Sequence, residues 1–197
     1  MGDLILLRHG ETEWSKSGRH TGRTDTPLTL AGEAAAAALA PMLARREIVA
    51  AFSSPARRAA WTAALAGLTD VKQDPDLWEW DYGGYEGMTT PQIQEQRPGW
   101  YLWRDGVIPG DAEHPGETVS QVGERTDRVL ARVAPLLRDG DVVLVGHGHT
   151  LRVLTARYLE LPPEGGRLFR LDTGTVSTLG AEHDEPVVLA WNAAPSP

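Results

Sequence analysis

Apolar residues come in short unbroken runs along this chain, each stopping at a polar, glycine-rich corner. Leu4-Ile5-Leu6-Leu7 is too short for an amphipathic helix and reads as a buried strand, ending at Arg8-His9-Gly10. Val142-Val143-Leu144-Val145 repeats the pattern and ends at Gly146-His147-Gly148-His149. Ala50–Ser53 and Val71–Gln73 read as shorter strands, and Asp172–Leu179 and Pro186–Trp191 as the last two. Helical patterns fall between them. Thr29 is placed to cap a helix over Leu30–Ala44, in which the Ala34–Ala38 run has high propensity. Further helices are expected over Ala56–Ala66, over Glu117–Arg138 with Val122, Val129, Val133, Leu136 and Leu137 on one face, and over Thr150–Leu159. Strands alternating with helices predict an α/β sandwich around a largely parallel sheet.

In such a sheet, ligands bind just beyond the carboxyl ends of the strands. His9 and His147 both sit there, each beside glycine, so neighbouring parallel strands would turn both imidazoles into one crevice. His9 reads as a nucleophile that accepts a phosphoryl group, with the rest of the chain as its supports. Arg57 and Arg58 fall in the first turn of a predicted helix, where the helix dipole repels cations, so they form either a solvated pair or an anion site. Trp14–Pro27 reads as a structured loop. An inserted lid region is expected around residues 84–116, with short helices at Pro91–Gln96 and Trp100–Arg104 and a loop at Gly110–Gly116. No repeat or linker divides the chain, so a single domain over 1–197 is expected, with Ala193–Pro197 as a frayed tail.

Composition narrows the partners. At 197 residues and a net charge of −8 the chain shows no electrostatic footprint for nucleic acid or an anionic membrane. Its arginines can still converge locally on a small phosphorylated metabolite. Cysteine is absent, which removes disulfides and thiolate chemistry. The first residues read as a strand rather than a signal peptide, and no apolar run is long enough to span a bilayer, so a cytoplasmic protein is expected. A homo-oligomer is left open.

Four blocks carry a resemblance. Leu7-Arg8-His9-Gly10-Glu11-Thr12-Glu13-Trp14, Ser53-Ser54-Pro55-Ala56-Arg57-Arg58-Ala59, Glu79-Trp80-Asp81-Tyr82-Gly83 and Gly146-His147-Gly148 resemble, in the same order, the histidine phosphatase superfamily, which includes the cofactor-dependent phosphoglycerate mutases. The resemblance implies a three-layer α/β/α sandwich with a mostly parallel central sheet and a phosphohistidine at His9. It also implies a phosphate clamp from Arg8, Arg58 and His147, with Arg57 on the surface. Phosphoryl transfer is largely positioning and charge stabilisation, which suits that set. Glu79 takes the family's acid/base position; the flanking Trp78 and Trp80 would give it partly dry surroundings that favour a proton donor. Glu86 is the rival carboxylate.

Ser15 stands where many relatives have asparagine, a departure that leaves a hydroxyl to donate to phosphate. Thr21 and Gly22 match the substrate loop, and Tyr82 and Gly148 fall within the matching blocks as substrate-binding candidates. His149 replaces an asparagine of the mutases, and the mutases' paired-arginine insertion is not evident, which favours a phosphatase. More narrowly, the blocks around Thr12–Gly18, Glu79–Met88, Trp103–Gly106 and His147–Arg152 are similar to the yeast-type sedoheptulose-1,7-bisphosphatase branch and to bacterial broad-specificity acid phosphatases. That branch would make His20, Thr21, Arg104 and His149 ligands of a sugar or its distal phosphate, unless Arg104 merely pairs with Asp105 or Glu117. Trp80, Trp100, Tyr101 and Trp103 either wall the pocket or form core under the insertion. No cofactor and no metal are expected, since His147-x-His149 has ligand-like spacing but lacks a carboxylate cluster to complete a site. A mutase and a catalytically silent phosphate-binding scaffold remain as alternatives.

Overall fold

The computed structural model describes residues 2–195. Six strands form one sheet: β1 (Leu4–Arg8), β2 (Ile48–Ser53), β3 (Lys72–Gln73), β4 (Asp141–Gly146), β5 (Val176–Glu182) and β6 (Glu185–Ala193), in the order β3-β2-β4-β1-β5-β6. The neighbours from β3 through β1 run parallel, and β5 and β6 close the other edge antiparallel. The expected mostly parallel α/β sheet is therefore present, and β6 extends into the predicted tail as far as Ala193; Ser196 and Pro197 lie outside the described residues.

Alternate residues of the central strands face opposite layers, as a pleated sheet requires. Leu4, Leu6, Val142 and Leu144 pack with Val129 and Val133 of α7 (Val119–Val133) and with Leu151 and Leu154 of α8 (Gly148–Tyr158). Ile5, Leu7, Val143 and Val145 pack on the other side with Leu39, at the junction of α2 (Leu30–Ala37) and α3 (Ala40–Leu43), with Leu43 of α3, and with Ala59 and Ala63 of α4 (Arg57–Leu65). Three layers result.

Proline explains two departures from the predicted helices. The expected Leu30–Ala44 helix breaks into α2 and α3 because Pro41 has no N–H for the ladder. The expected Glu117–Arg138 helix runs only over Val119–Val133, capped by Thr118 and Gln121, and a 3-10 turn over Leu136–Arg138 follows Pro135. The predicted loop after Trp14 contains a one-turn helix, α1 (Glu13–Lys16). The insertion carries α5 (Thr90–Gln96) and α6 (Leu102–Asp105) close to where they were expected. These helices join a third apolar cluster, in which Tyr85, Ile93, Trp100 and Trp103 meet Trp80 and Tyr82 from the preceding segment and Val122 and Val153 from α7 and α8.

The register of β1 against β4 places the chemistry. Arg8 lies beside Gly146, and the His9 N–H donates to the Gly146 carbonyl at 3.0 Å, one step past the ladder. The Ser54 N–H likewise donates to the Val145 carbonyl at 2.9 Å, beyond β2. Three strand ends therefore meet at one edge of the sheet, and α8 begins two residues earlier than the pattern suggested, with His147 as its cap residue. Among the described residues no helix is long and apolar enough to cross a membrane.

Candidate active site

His9 is buried at this edge, and its Nδ1 lies 2.7 Å from the Gly10 carbonyl. A carbonyl can only accept, so Nδ1 carries the proton and Nε2 keeps its lone pair. Burial, then the charges of Arg58 and Arg8, hold the imidazole well below its ordinary value of 6.5, so it stays neutral. Gly10 permits this turn: a Cβ there would sit 2.4 Å from the Gly32 carbonyl oxygen. The His147 ring stands edge-on to His9 with centroids 5.1 Å apart. Its two nitrogens are engaged, Nδ1 accepting from Arg58 Nε at 3.2 Å and Nε2 lying 2.8 Å from Ser54 Oγ. Burial and Arg58 keep this imidazole neutral as well, and with both nitrogens engaged the ring is fixed beside His9.

Two cations approach the same point. Arg58 is buried, and its guanidinium donates to the carbonyls of Thr24 at 2.8 Å, Gly22 at 2.9 Å and Thr21 at 3.3 Å. Arg8 donates to the Leu171 carbonyl, while its Nε is enclosed without a partner. Gly148 makes room for it, since a Cβ there would lie 3.1 Å from Arg8 Cζ. Neither arginine has a carboxylate within ion-pair distance among the described residues. Burial without a counter-ion lowers both guanidinium pKa values and is relieved by an anion. Arg57 is exposed and its N–H is taken by Asp25, so it belongs to the surface.

Glu79 is buried beside this pair. Its Oε1 accepts from the N–H groups of Trp80 and Thr150, both at 2.9 Å, and from Thr150 Oγ1 at 3.1 Å. Its Oε2 accepts only from the His149 N–H, at 3.0 Å, which leaves that oxygen free for a further proton or hydrogen bond. The carboxyl is thus set by the N-terminal amides of α8 rather than by the aromatic shell the sequence suggested; Trp78 instead stacks parallel to His147. Glu86, the rival carboxylate, accepts from the Gly22 and Thr24 N–H groups and staples the substrate loop.

A cavity of about 380 Å³ opens over His9. Arg8, His9, Glu79, Ser15, His20, Thr21, Tyr82, Gly148 and His149 line it, as do Trp100, Tyr101 and Trp103. Trp80 is core. Gly22 stands behind the wall, where a Cβ would lie 2.7 Å from the Trp80 carbonyl oxygen. The Ser15 hydroxyl is already committed, donating to the Thr12 carbonyl at 3.0 Å and accepting from the Thr12 N–H at 2.9 Å, so it is not the free phosphate donor expected. Arg104 is also corrected. It is exposed, pairs with Asp105 at 2.8 Å and faces a neighbouring groove. The cation the sequence reading missed is Arg152, which lines the cavity, lies 4.8 Å over Trp103 and, among the described residues, has only the Gly166 and Arg167 carbonyls as partners. Its spacing of three from His149 on α8 puts both on one helix face, a signal legible in the sequence. Exposed Arg19 lines the cavity too.

A model of the histidine phosphatase superfamily (branch 1) matches residues 4–194. The chain belongs to this superfamily. It is 40% identical to an acid phosphatase of Mycobacterium tuberculosis, over 98% of this chain and 95% of that one. It is 38% identical to the sedoheptulose 1,7-bisphosphatase of Saccharomyces cerevisiae, over 80% of this chain and 67% of that one. The solved structure of an open reading frame product of Mycobacterium tuberculosis superposes with a TM-score of 0.92 at 38% identity, covering 99% of each chain. Superfamily membership agrees with the family resemblance of the four sequence blocks, and the phosphatase names among these relatives support a phosphatase.

The buried histidines make stability depend on pH. His9, His20, His147 and His149 are all held below their ordinary 6.5 in the folded protein, so the unfolded chain binds more protons as the medium acidifies. Stability is expected to be complete above that value and to fall between about pH 6.5 and pH 5, by up to about 1.4 kcal/mol per pH unit for each histidine. Chemical denaturation of wild type and His9→Asn across this range checks it: the variant should show the shallower decline, and equal slopes would count against a neutral buried His9.

Proposed function

We propose that this protein is a phosphomonoesterase that hydrolyses small phosphorylated metabolites, sugar phosphates and bisphosphates foremost, through a phosphohistidine on His9. The observation that carries this reading is the His9 imidazole. It is buried, neutral, fixed by the Gly10 carbonyl and left with its Nε2 lone pair at a cavity flanked by Arg8. Nε2 attacks phosphorus, the bond from phosphorus to the ester oxygen breaks, and the Glu79 carboxyl gives its proton to the departing alkoxide. Water then attacks the phosphohistidine as the Glu79 carboxylate takes a proton from it, the phosphorus–nitrogen bond breaks, and orthophosphate leaves. Arg8, which lines the cavity, meets the charge on the transferring oxygens, and Arg58 supports it from behind His147. The clamp consists of the chain's own cations, so the reaction requires no metal ion.

Glu79→Gln should slow phosphoryl transfer from alkyl phosphates by roughly 10²–10⁴-fold and from p-nitrophenyl phosphate much less, because nitrophenolate leaves without a proton. Equal losses on both would remove Glu79 as the proton donor. His9→Ala should abolish phosphate release from either, and wild-type activity should survive EDTA; activity retained by His9→Ala, or lost to the chelator, would contradict the mechanism.

A bisphosphate needs a second cation, and Arg152 supports that role where Arg104 does not. Arg152→Met should raise KM for fructose 1,6-bisphosphate about tenfold more than for fructose 6-phosphate, the order of one charge-assisted hydrogen bond. Arg104→Ala should leave both within about twofold of wild type, as expected of an exposed side chain paired with its neighbour. The reverse pattern would restore Arg104.

A further inference from the structure

Three side chains at the cavity wall form a device that the phosphoryl chemistry does not use. Tyr82 is buried, and its hydroxyl lies 2.6 Å from His149 Nδ1, its one hydrogen-bond partner among the described residues. A buried hydroxyl proton needs an acceptor, and this nitrogen is the one within reach, so Tyr82 donates and Nδ1 holds a lone pair. Burial, with Glu79 and Glu86 nearby, pushes the phenol well above its ordinary 10, which keeps the proton in place. Burial, with Arg152 nearby, holds His149 neutral. Its single proton is therefore on Nε2.

His20 has the opposite polarity. Its Nδ1 lies 2.8 Å from the Met88 carbonyl and must donate to it, and burial keeps the ring neutral, so Nε2 is a lone pair. The two rings are parallel within 8°, with centroids 6.5 Å apart. Both residues line the cavity, and neither Nε2 has a hydrogen-bond partner or is enclosed among the described residues, so both open to the cavity.

We infer that Tyr82 is a positioning residue that fixes His149 as an Nε2–H donor, and that His149 and His20 together read the neutral hydroxyl groups of a polyol phosphate. This rests on the phosphomonoesterase reading above and names what the far end of the cavity selects. One donor beside one acceptor suits hydroxyl groups, which accept and donate. A dianionic phosphate or a carboxylate only accepts and would face the His20 lone pair, so a distal phosphate is left to Arg152 and the histidine pair is left to hydroxyl groups. Substrates are then ranked by hydroxyl placement beyond the phosphate, which a cavity walled by tryptophan alone would not do.

The test uses a matched pair of esters of one skeleton, glucose 6-phosphate and cyclohexylmethyl phosphate. Wild type should prefer the hydroxylated ester by about tenfold or more in kcat/KM, and the His9→Ala protein, which cannot turn over, should show the same preference in Kd. Tyr82→Phe should remove most of that preference, chiefly through KM for the sugar ester, and 15N NMR should show His149 passing from an Nε2–H tautomer to a mixture. His20→Leu should remove the preference while leaving the His149 tautomer unchanged. No preference in wild type, a preference that survives Tyr82→Phe, or a His149 proton found on Nδ1 would each overturn the inference. A hydroxyl preference in Kd without hydrolysis of either ester or of p-nitrophenyl phosphate would sustain the recognition and refute the phosphomonoesterase reading.

Discussion

Two guanidinium groups held away from water without a carboxylate partner set the terms for the rest of this site. Arg58 is buried and Arg8 has an enclosed, unpartnered Nε, and both are depressed by desolvation. Such an arrangement is costly in the absence of an anion and persists only where surrounding structure enforces it. Backbone carbonyls of the Thr21–Thr24 loop hold Arg58, Leu171 holds Arg8, and the missing Cβ of Gly148 admits the Arg8 guanidinium. Burial, reinforced by the same two charges, keeps His9 neutral, so the desolvation that exposes the arginines' need for an anion also keeps the imidazole uncharged. Glu86 has a part in this, because its carboxylate anchors the loop whose carbonyls carry Arg58.

The sheet provides the precision. Parallel pairing of β1 with β4 brings His9 and His147 together from opposite ends of the chain, and α8 starts at once, so its first amides fix Glu79. The His9 imidazole and the Glu79 carboxyl are therefore tied to the same strand–helix junction. The insertion contributes the outer cavity through Trp100, Tyr101 and Trp103, packed on an aromatic cluster separate from the two sheet cores. Reaction centre and outer cavity share α8, which fixes Glu79 through its first amides and carries His149 and Arg152 into the same cavity.

Much of this was legible in the chain itself. The runs Leu4–Leu7 and Val142–Val145, each ending at a glycine-flanked histidine, announced both the central strands and the place of the chemistry, because a four-residue apolar run has few other uses. Helix ends were less legible. Pro41 and Pro135 were in plain view, yet the alanine-rich and amphipathic patterns around them carried through. Side-chain orientation was the least legible. Arg104 and Arg152 look alike as letters, but Asp105 beside Arg104 offered a local partner that turned it to the surface, while Arg152 has no carboxylate partner among the described residues and lies over Trp103. Ser15 was lost in the same way, since a serine three residues after Thr12 completes a capping box before it can reach a ligand. Glu79 stood out by its position in a motif, but its hydrogen bonds to α8 depend on a contact across about seventy residues that no local pattern reveals.

The central claim is that phosphorus passes through His9 Nε2. Rapid acid-free quenching of wild-type protein with a labelled phosphomonoester, followed by peptide mass spectrometry and 31P NMR, tests it most directly. The account predicts a transient phosphoramidate on the peptide containing His9, stable in base, lost in acid, bonded through Nε2, and formed no slower than orthophosphate appears. Turnover with no phosphorylated protein at any time, or with the phosphoryl group on another residue, would contradict it.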